Sequence, residues 1–357
     1  MEKLSPGILK TKQHFEILDG LRGVAALAVV TFHFMEIAYT DYSQDFIGHG
    51  FLAVDFFFCL SGFVIAYAYD DRIGKMGIKE FFKSRLIRLH PLVVFGAVLG
   101  LITFLFDPFG GHPEAYSLGK LGLIFLSSIL LIPYPVMEDR YFNLFGLNAP
   151  AWSLFWEYIA NIVYALVLCR LAKRYLVPIA IIAGIILCMV GYQAGNLLGG
   201  WSGGTFWHGG ARVLYSFTAG LIVYRFNLII KNKLGFIGIS ILLFLAFIMP
   251  FSKWNWLSEP FVILFYFPLI VSLGAGATLS GGLKKICNFF GNISYPLYMT
   301  HYAVLWMFGN YYAANKPDTT HLTLIIIAAL IVLPAFAYFV MQVYDIPLRS
   351  YLTKKRK

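Results

Sequence analysis

Long apolar runs alternate with short polar interruptions along the whole chain. The runs occupy residues 17–38, 51–69, 90–106, 152–168, 176–192, 213–224, 234–251, 261–279, 293–311 and 322–344. Most reach the roughly 20 residues that a helix needs to cross a bilayer. The run at 213–224 needs residues 207–212 to do so. A further run at 121–132 is shorter and stops at Pro133–Tyr134–Pro135. The first run is too long for the core of a secretory leader and is followed by no small-residue cleavage site, so it reads as a retained helix. The pattern predicts an all-α, polytopic membrane protein of about ten transmembrane helices. The expected organisation is one domain over residues 1–357, with a cytoplasmic tail at 1–16, a basic cytoplasmic tail at 345–357 and no appended soluble domain.

Composition supports that class. Of the 357 residues, 59% are apolar and only 13% are charged, with a mean hydropathy of +0.73. Soluble domains carry about 25% charged residues, and a water-soluble chain of this length has no interior large enough for so much apolar surface. The same numbers exclude a disordered chain. There is no internal repeat and no pair of interrupted helices at matching places in two halves, the features of many secondary transporters.

Charge decides the topology. If the run at 121–132 stays on one side as a re-entrant or interfacial segment, ten spans put both termini in the cytoplasm, with 23 of the 28 Lys and Arg residues inside and five outside. If that run crosses, the split becomes 14 and 14. The positive-inside bias selects the first arrangement. The net charge of +10 is then a matter of membrane orientation, with no nucleic-acid partner implied. Cys59, Cys169, Cys188 and Cys287 have no metal-ligand spacing, and no metal is expected.

Ionisable residues within spans are costly and mark candidate sites. Arg22 and His33 stand eleven residues apart in the first run, which places them on one helix face, roughly 16 Å apart along the axis. Histidine is the usual general base near neutral pH, although a neutral packing histidine fits the pattern equally. Glu36 lies one turn beyond His33 and reads better as an interfacial carboxylate than as its partner. Asp55 and Glu157 are candidates to orient an imidazole or bond a hydroxylated substrate, or else pair with basic residues of other helices. Lys83, Arg85 and Arg88 crowd a loop at the cytoplasmic entrance to the third span. Arginine forks suit phosphate, and lipid headgroups or topology account for them as well. The aromatic, glycine-rich loop 197–210 suits sugar stacking or a membrane belt. His14 and Asp19 fit HxxxxD, a motif of soluble-face glycerolipid acyltransferases, as a chance match.

Five segments, taken in order, resemble the signature of acyltransferase family three, the integral membrane acyltransferases that include bacterial polysaccharide O-acetyltransferases. They are LDGLRGVAALAVVTFHF (18–34), VDFFFCLSGFVI (54–65), RLIRLHP (85–91), WSLFWEY (152–158) and ISYPLYMTH (293–301). Cys59 stands where valine is commoner, and His90 precedes Pro91 where tyrosine is more usual. The resemblance implies about ten membrane helices in the bacterial cytoplasmic membrane. It also implies transfer of an acyl group, usually acetyl from acetyl-CoA, to a hydroxyl of a carbohydrate acceptor. The lipid bilayer is the setting, and association with polysaccharide-assembly machinery is compatible with that role. His33 and Glu157 would be catalytic, Arg22, Arg85 and Arg88 would bind the CoA phosphates, and Asp55, Trp152, Tyr298 and His301 would bind substrate. Acylation of a small molecule such as an antibiotic sugar, or transport of sugars or acyl chains without transfer, are the competing readings.

Overall fold

The computed structural model describes residues 14–355; the remainder of both expected tails lies outside the described residues. The principal helices are α1 (Glu16–Ala38), α2 (Ala53–Tyr69), α3 (Ile78–Leu105), α4 (Leu118–Leu130), α5 (Ala151–Leu166), α6 (Leu176–Ala194), α7 (Phe206–Arg225), α8 (Gly235–Phe247), α9 (Asn255–Gly276), α10 (Lys284–Asn315) and α11 (Thr319–Lys355). Among the described residues there is no strand, only two isolated bridges.

Every one of the ten expected spans is helical, but seven helices, α1, α2, α3, α5, α6, α9 and α11, are long and apolar enough to cross a membrane by length and composition. The other three fall short for different reasons. α8 has 13 residues, about 20 Å of helix. α7 and α10 are long enough, at 20 and 32 residues, but carry inward polar groups such as Arg212, Ser294, Thr300 and His301, all buried. The residues that lower their hydropathy are the ones that build the interior. α4, also 13 residues, is capped by Ser117 and ends at Leu131 in the left-handed region, φ 53°. By length it stands with α8, below the helices long enough to cross.

Outward faces are apolar. Ile181, Ile182 and Ile185 on α6, and Ile331, Val332 and Phe339 on α11, are each more than half exposed, as a lipid-facing surface requires. Inward, small residues let backbones meet. A Cβ on Gly62 of α2 would lie 2.1 Å from the Phe217 carbonyl oxygen of α7, and one on Gly220 would lie 1.9 Å from that of Cys59. On the other flank Gly23 and Gly291 bring α1 and α10 together, where a Cβ on Gly291 would lie 2.6 Å from that of Asp19.

Two differences from the sequence reading shape the site. The basic segment 81–90 is not a loop: α3 runs through it, with Pro91 inside the helix. The hydroxyls of Tyr295 and Tyr344 donate to the carbonyls of Leu89 and Pro91, at 2.6 and 3.1 Å, and so hold α10 and α11 against this stretch. Residues 345–355, expected as a tail, continue α11 after a wide turn at Met341–Asp345. Turns of this kind shift the face that a helix presents; here Asp345 is turned inward and only 2% exposed.

Candidate active site

A cavity of about 260 Å³ lies between α1, α2, α3, α5, α10 and α11. Four arginines line it: Arg22 from α1, Arg85 and Arg88 from α3, and Arg349 from α11. Arg22 is held by α10, donating from Nε to Ser294 Oγ at 2.9 Å and from Nη2 to the Gly291 carbonyl at 2.7 Å. Its Nη2 also lies 3.1 Å from Asp19. Arg85 donates to Glu157 Oε1 at 2.7 Å, and Ser61 Oγ donates to the same oxygen at 3.1 Å. Arg349 Nε stands 3.3 Å from Asp345 Oδ2. Arg88 makes no ion pair or hydrogen bond among the described residues. The cavity thus has an excess of positive charge, and its guanidinium forks suit an anionic ligand. At its inner end Tyr298 shares a hydrogen bond with Ser153, 2.8 Å between the oxygens.

His33 does not line this cavity. Arg22 and His33 both project onto α10, but His33 lies further along, where its ring stacks on His301 at 5.4 Å and 22°. His301 is fully buried and in turn lies 6.0 Å from the Tyr298 ring. Two side chains therefore separate His33 from the arginine cavity. The partner of His33 is Glu36: Nδ1 and Oε1 are 2.5 Å apart. An ionised Glu36 fixes the tautomer with the proton on Nδ1 and leaves Nε2 as the acceptor. Tyr42, in the loop after α1, donates to the other Glu36 oxygen at 3.3 Å. Burial, with the Glu36 charge beside it, pushes the Tyr42 phenol above its ordinary value, so that it remains a donor.

Beyond His33, away from the cavity, aromatic rings continue. Tyr302 meets His33 edge-on at 5.1 Å and Trp306 at 5.7 Å. The guanidinium of Arg140, in the loop between α4 and α5, sits 4.1 Å over Trp306. Burial draws Arg140 below its ordinary pKa.

Asp55 and Trp152 lie elsewhere. Asp55 is fully buried against Arg212 of α7, with contacts of 2.6, 3.0 and 3.2 Å. Arg212 also donates to the carbonyls of Gly199 and Phe51, at 2.9 and 3.2 Å, and lies over the Trp152 ring at 5.2 Å. This ties the glycine-rich loop to the helices. Gly200, at φ 125°, packs so closely that a Cβ would meet Gly209 at 2.9 Å and Trp152 at 3.0 Å. His14 pairs with Asp19 at 3.0 Å on an exposed surface.

Sequence reasoning missed three features. Glu36 was assigned to the interface, although its spacing from His33 was visible. Ser61 lay unremarked within the motif at 54–65. Arg349 and Asp345 gave no signal, because their inward position depends on the wide turn in α11.

The family model described as "Acyltransferase domain" matches residues 15–340. The chain belongs to acyltransferase family three. This family member is accordingly an acyltransferase, and its apolar helices make it a multi-pass membrane protein. The relative named Protein 2 in picA locus, from Rhizobium radiobacter, is 34% identical over 188 residues, 49% of this chain and 93% of that protein. The peptidoglycan O-acetyltransferase OatA of Listeria monocytogenes is 26% identical over 329 residues, 83% of this chain and 50% of that protein. This acyltransferase thus spans about half the length of OatA. No solved structure matches it.

Proposed function

We propose that this acyltransferase moves acetyl from acetyl-CoA to a hydroxyl of an exported or cell-envelope polysaccharide, or of its lipid-linked precursor, in the bacterial cytoplasmic membrane. One observation carries the reading: a cavity lined by four arginines is linked through the rings of Tyr298 and His301 to a histidine–carboxylate pair. The relatives' named activity, peptidoglycan O-acetylation in OatA, agrees in chemical class. About ten spans with both termini inside, as the charge distribution favours, open the arginine cavity to the cytoplasm and turn His33 towards the outer side.

Arg22, Arg85 and Arg88 hold the donor's phosphates, and Glu157 and Ser61 fix Arg85 for that task. The donor's acyl arm reaches towards His33, which requires Tyr298 or His301 to rotate aside. His33 Nε2 takes the proton of an acceptor hydroxyl while Glu36 stabilises the imidazolium. The resulting alkoxide attacks the thioester carbonyl; the carbon–sulfur bond breaks, and the proton goes to the leaving thiolate. A transient acyl-histidine is the other route through the same residue.

The test is CoA release from acetyl-CoA by the purified protein in lipid nanodiscs, with cell-envelope glycan as acceptor. Release that depends on glycan and leaves acetyl on it supports the reading. Glycan movement across the bilayer without thioester consumption would replace it with transport.

A further inference from the structure

The arginine cavity does not end at Arg88. It adjoins a second recess, of about 560 Å³ and open to the surface, between the first turns of α3 and the end of α11. Arg88, Ile346 and Arg349 line both spaces. Ser84, Ser350 and Lys354 help to complete the second, and no acidic side chain lines it. Three cations therefore face this recess. Asp345, which belongs to the wall of the first cavity, stands 3.3 Å from Arg349 Nε. Basic residues that only set topology need no such placement; exposed positions in a tail would serve. Here α11 continues past its wide turn as a helix, lies along α3 and brings Arg349 beside Arg88.

We propose that this recess is the subsite for the phosphate-bearing nucleotide end of the acyl donor, with Arg349 and Lys354 of α11 as ligands. The inference rests on the donor reading above. Arg88, common to both spaces, sits at the junction between the nucleotide end and the arm that carries the acyl group. The recess, at about 560 Å³, is of a size that small-molecule sites occupy. Guanidinium forks bind phosphate oxygens in pairs, and an ammonium group adds a point charge. An anionic lipid headgroup offers the same phosphate chemistry at the same place, so the experiment separates the two sources.

Equilibrium binding of acetyl-CoA, acetyl-pantetheine and adenosine 3′,5′-bisphosphate is measured on the full chain in phosphatidylcholine nanodiscs. Wild type, Arg349→Ala, Arg349→Lys and Lys354→Ala are compared, and the series is repeated with phosphatidylglycerol added. The expected result is that the bisphosphate competes with acetyl-CoA. Arg349→Ala should weaken acetyl-CoA about tenfold, Arg349→Lys and Lys354→Ala less, and acetyl-pantetheine should be bound equally by all four. Loss of both donors in Arg349→Ala, with Lys354→Ala normal, would make Arg349 a support of the first cavity and overturn the proposal. Unchanged acetyl-CoA binding in every variant, with weaker phosphatidylglycerol retention, would assign the recess to lipid. Wild type that binds neither donor would remove the donor reading itself, an outcome distinct from either.

Discussion

Two buried arginine–carboxylate pairs bracket the molecule's interior, and they differ in what surrounds them. Arg212 and Asp55 are 1% and 0% exposed, share three contacts and leave two more guanidinium donors to backbone carbonyls. Every polar side-chain atom of the pair has a partner. Arg85 and Glu157 share one contact, 2.7 Å long, and Glu157 is 20% exposed to a cavity that holds three further arginines. A closed network fixes helices and a loop; an open one offers unspent donors. Buried ion pairs are weak evidence of stability in themselves, but breaking one strands a charge. The two pairs therefore have different consequences when cut.

The largest effect falls on the closed pair. Arg212→Ala leaves Asp55 buried without a partner, and a loss of about 3–5 kcal/mol is expected. Thermal unfolding in detergent should show it as a sharp drop in folded protein. A stable but inactive Arg212→Ala would move the pair from architecture into chemistry and erase the contrast. Next comes the histidine pair. Glu36→Gln keeps the shape but not the charge, and the rate should fall by about 10²–10⁴-fold, the range for general-base assistance, with the melting temperature little changed. Equal turnover would remove Glu36 from the mechanism. Glu157→Gln should lie lower: about tenfold weaker acetyl-CoA binding or turnover, since a neutral amide still accepts one hydrogen bond from Arg85. A stability loss as large as that of Arg212→Ala would show that the two pairs are alike. The smallest effect belongs to His14→Ala. This exposed residue pairs only at the surface, and stability should stay within about 0.5 kcal/mol with activity unchanged. A loss of activity there would revive the HxxxxD reading.

The comparison also explains what the sequence made legible. Apolar runs mark ten helices because the bilayer demands continuous apolar stretches, and α7 and α10 fail the same test only because they turn polar groups inward. Local spacing along a helix is legible too: Arg22 and His33 were expected on one face, and both project onto α10. Pairing between helices is not. Asp55 and Glu157 are each one acid in an apolar run, and which arginine meets which depends on tertiary packing. Segment 81–90 reads as a loop because three cations interrupt it, whereas the structure keeps it helical with Tyr295 and Tyr344 holding the backbone near Pro91. Arg349 was invisible because a wide turn in α11 sets where it points. Glu36 was legible by its spacing, and the weight given to an interfacial role hid it.

In the proposed mechanism donor binding and histidine chemistry occupy separate stations, joined across Tyr298 and His301. The most direct test measures acetyl-CoA binding and CoA release side by side on wild type and folded His33→Ala in nanodiscs. Unchanged binding and abolished release are expected in His33→Ala. Release at the wild-type rate, or loss of binding together with release, would contradict it.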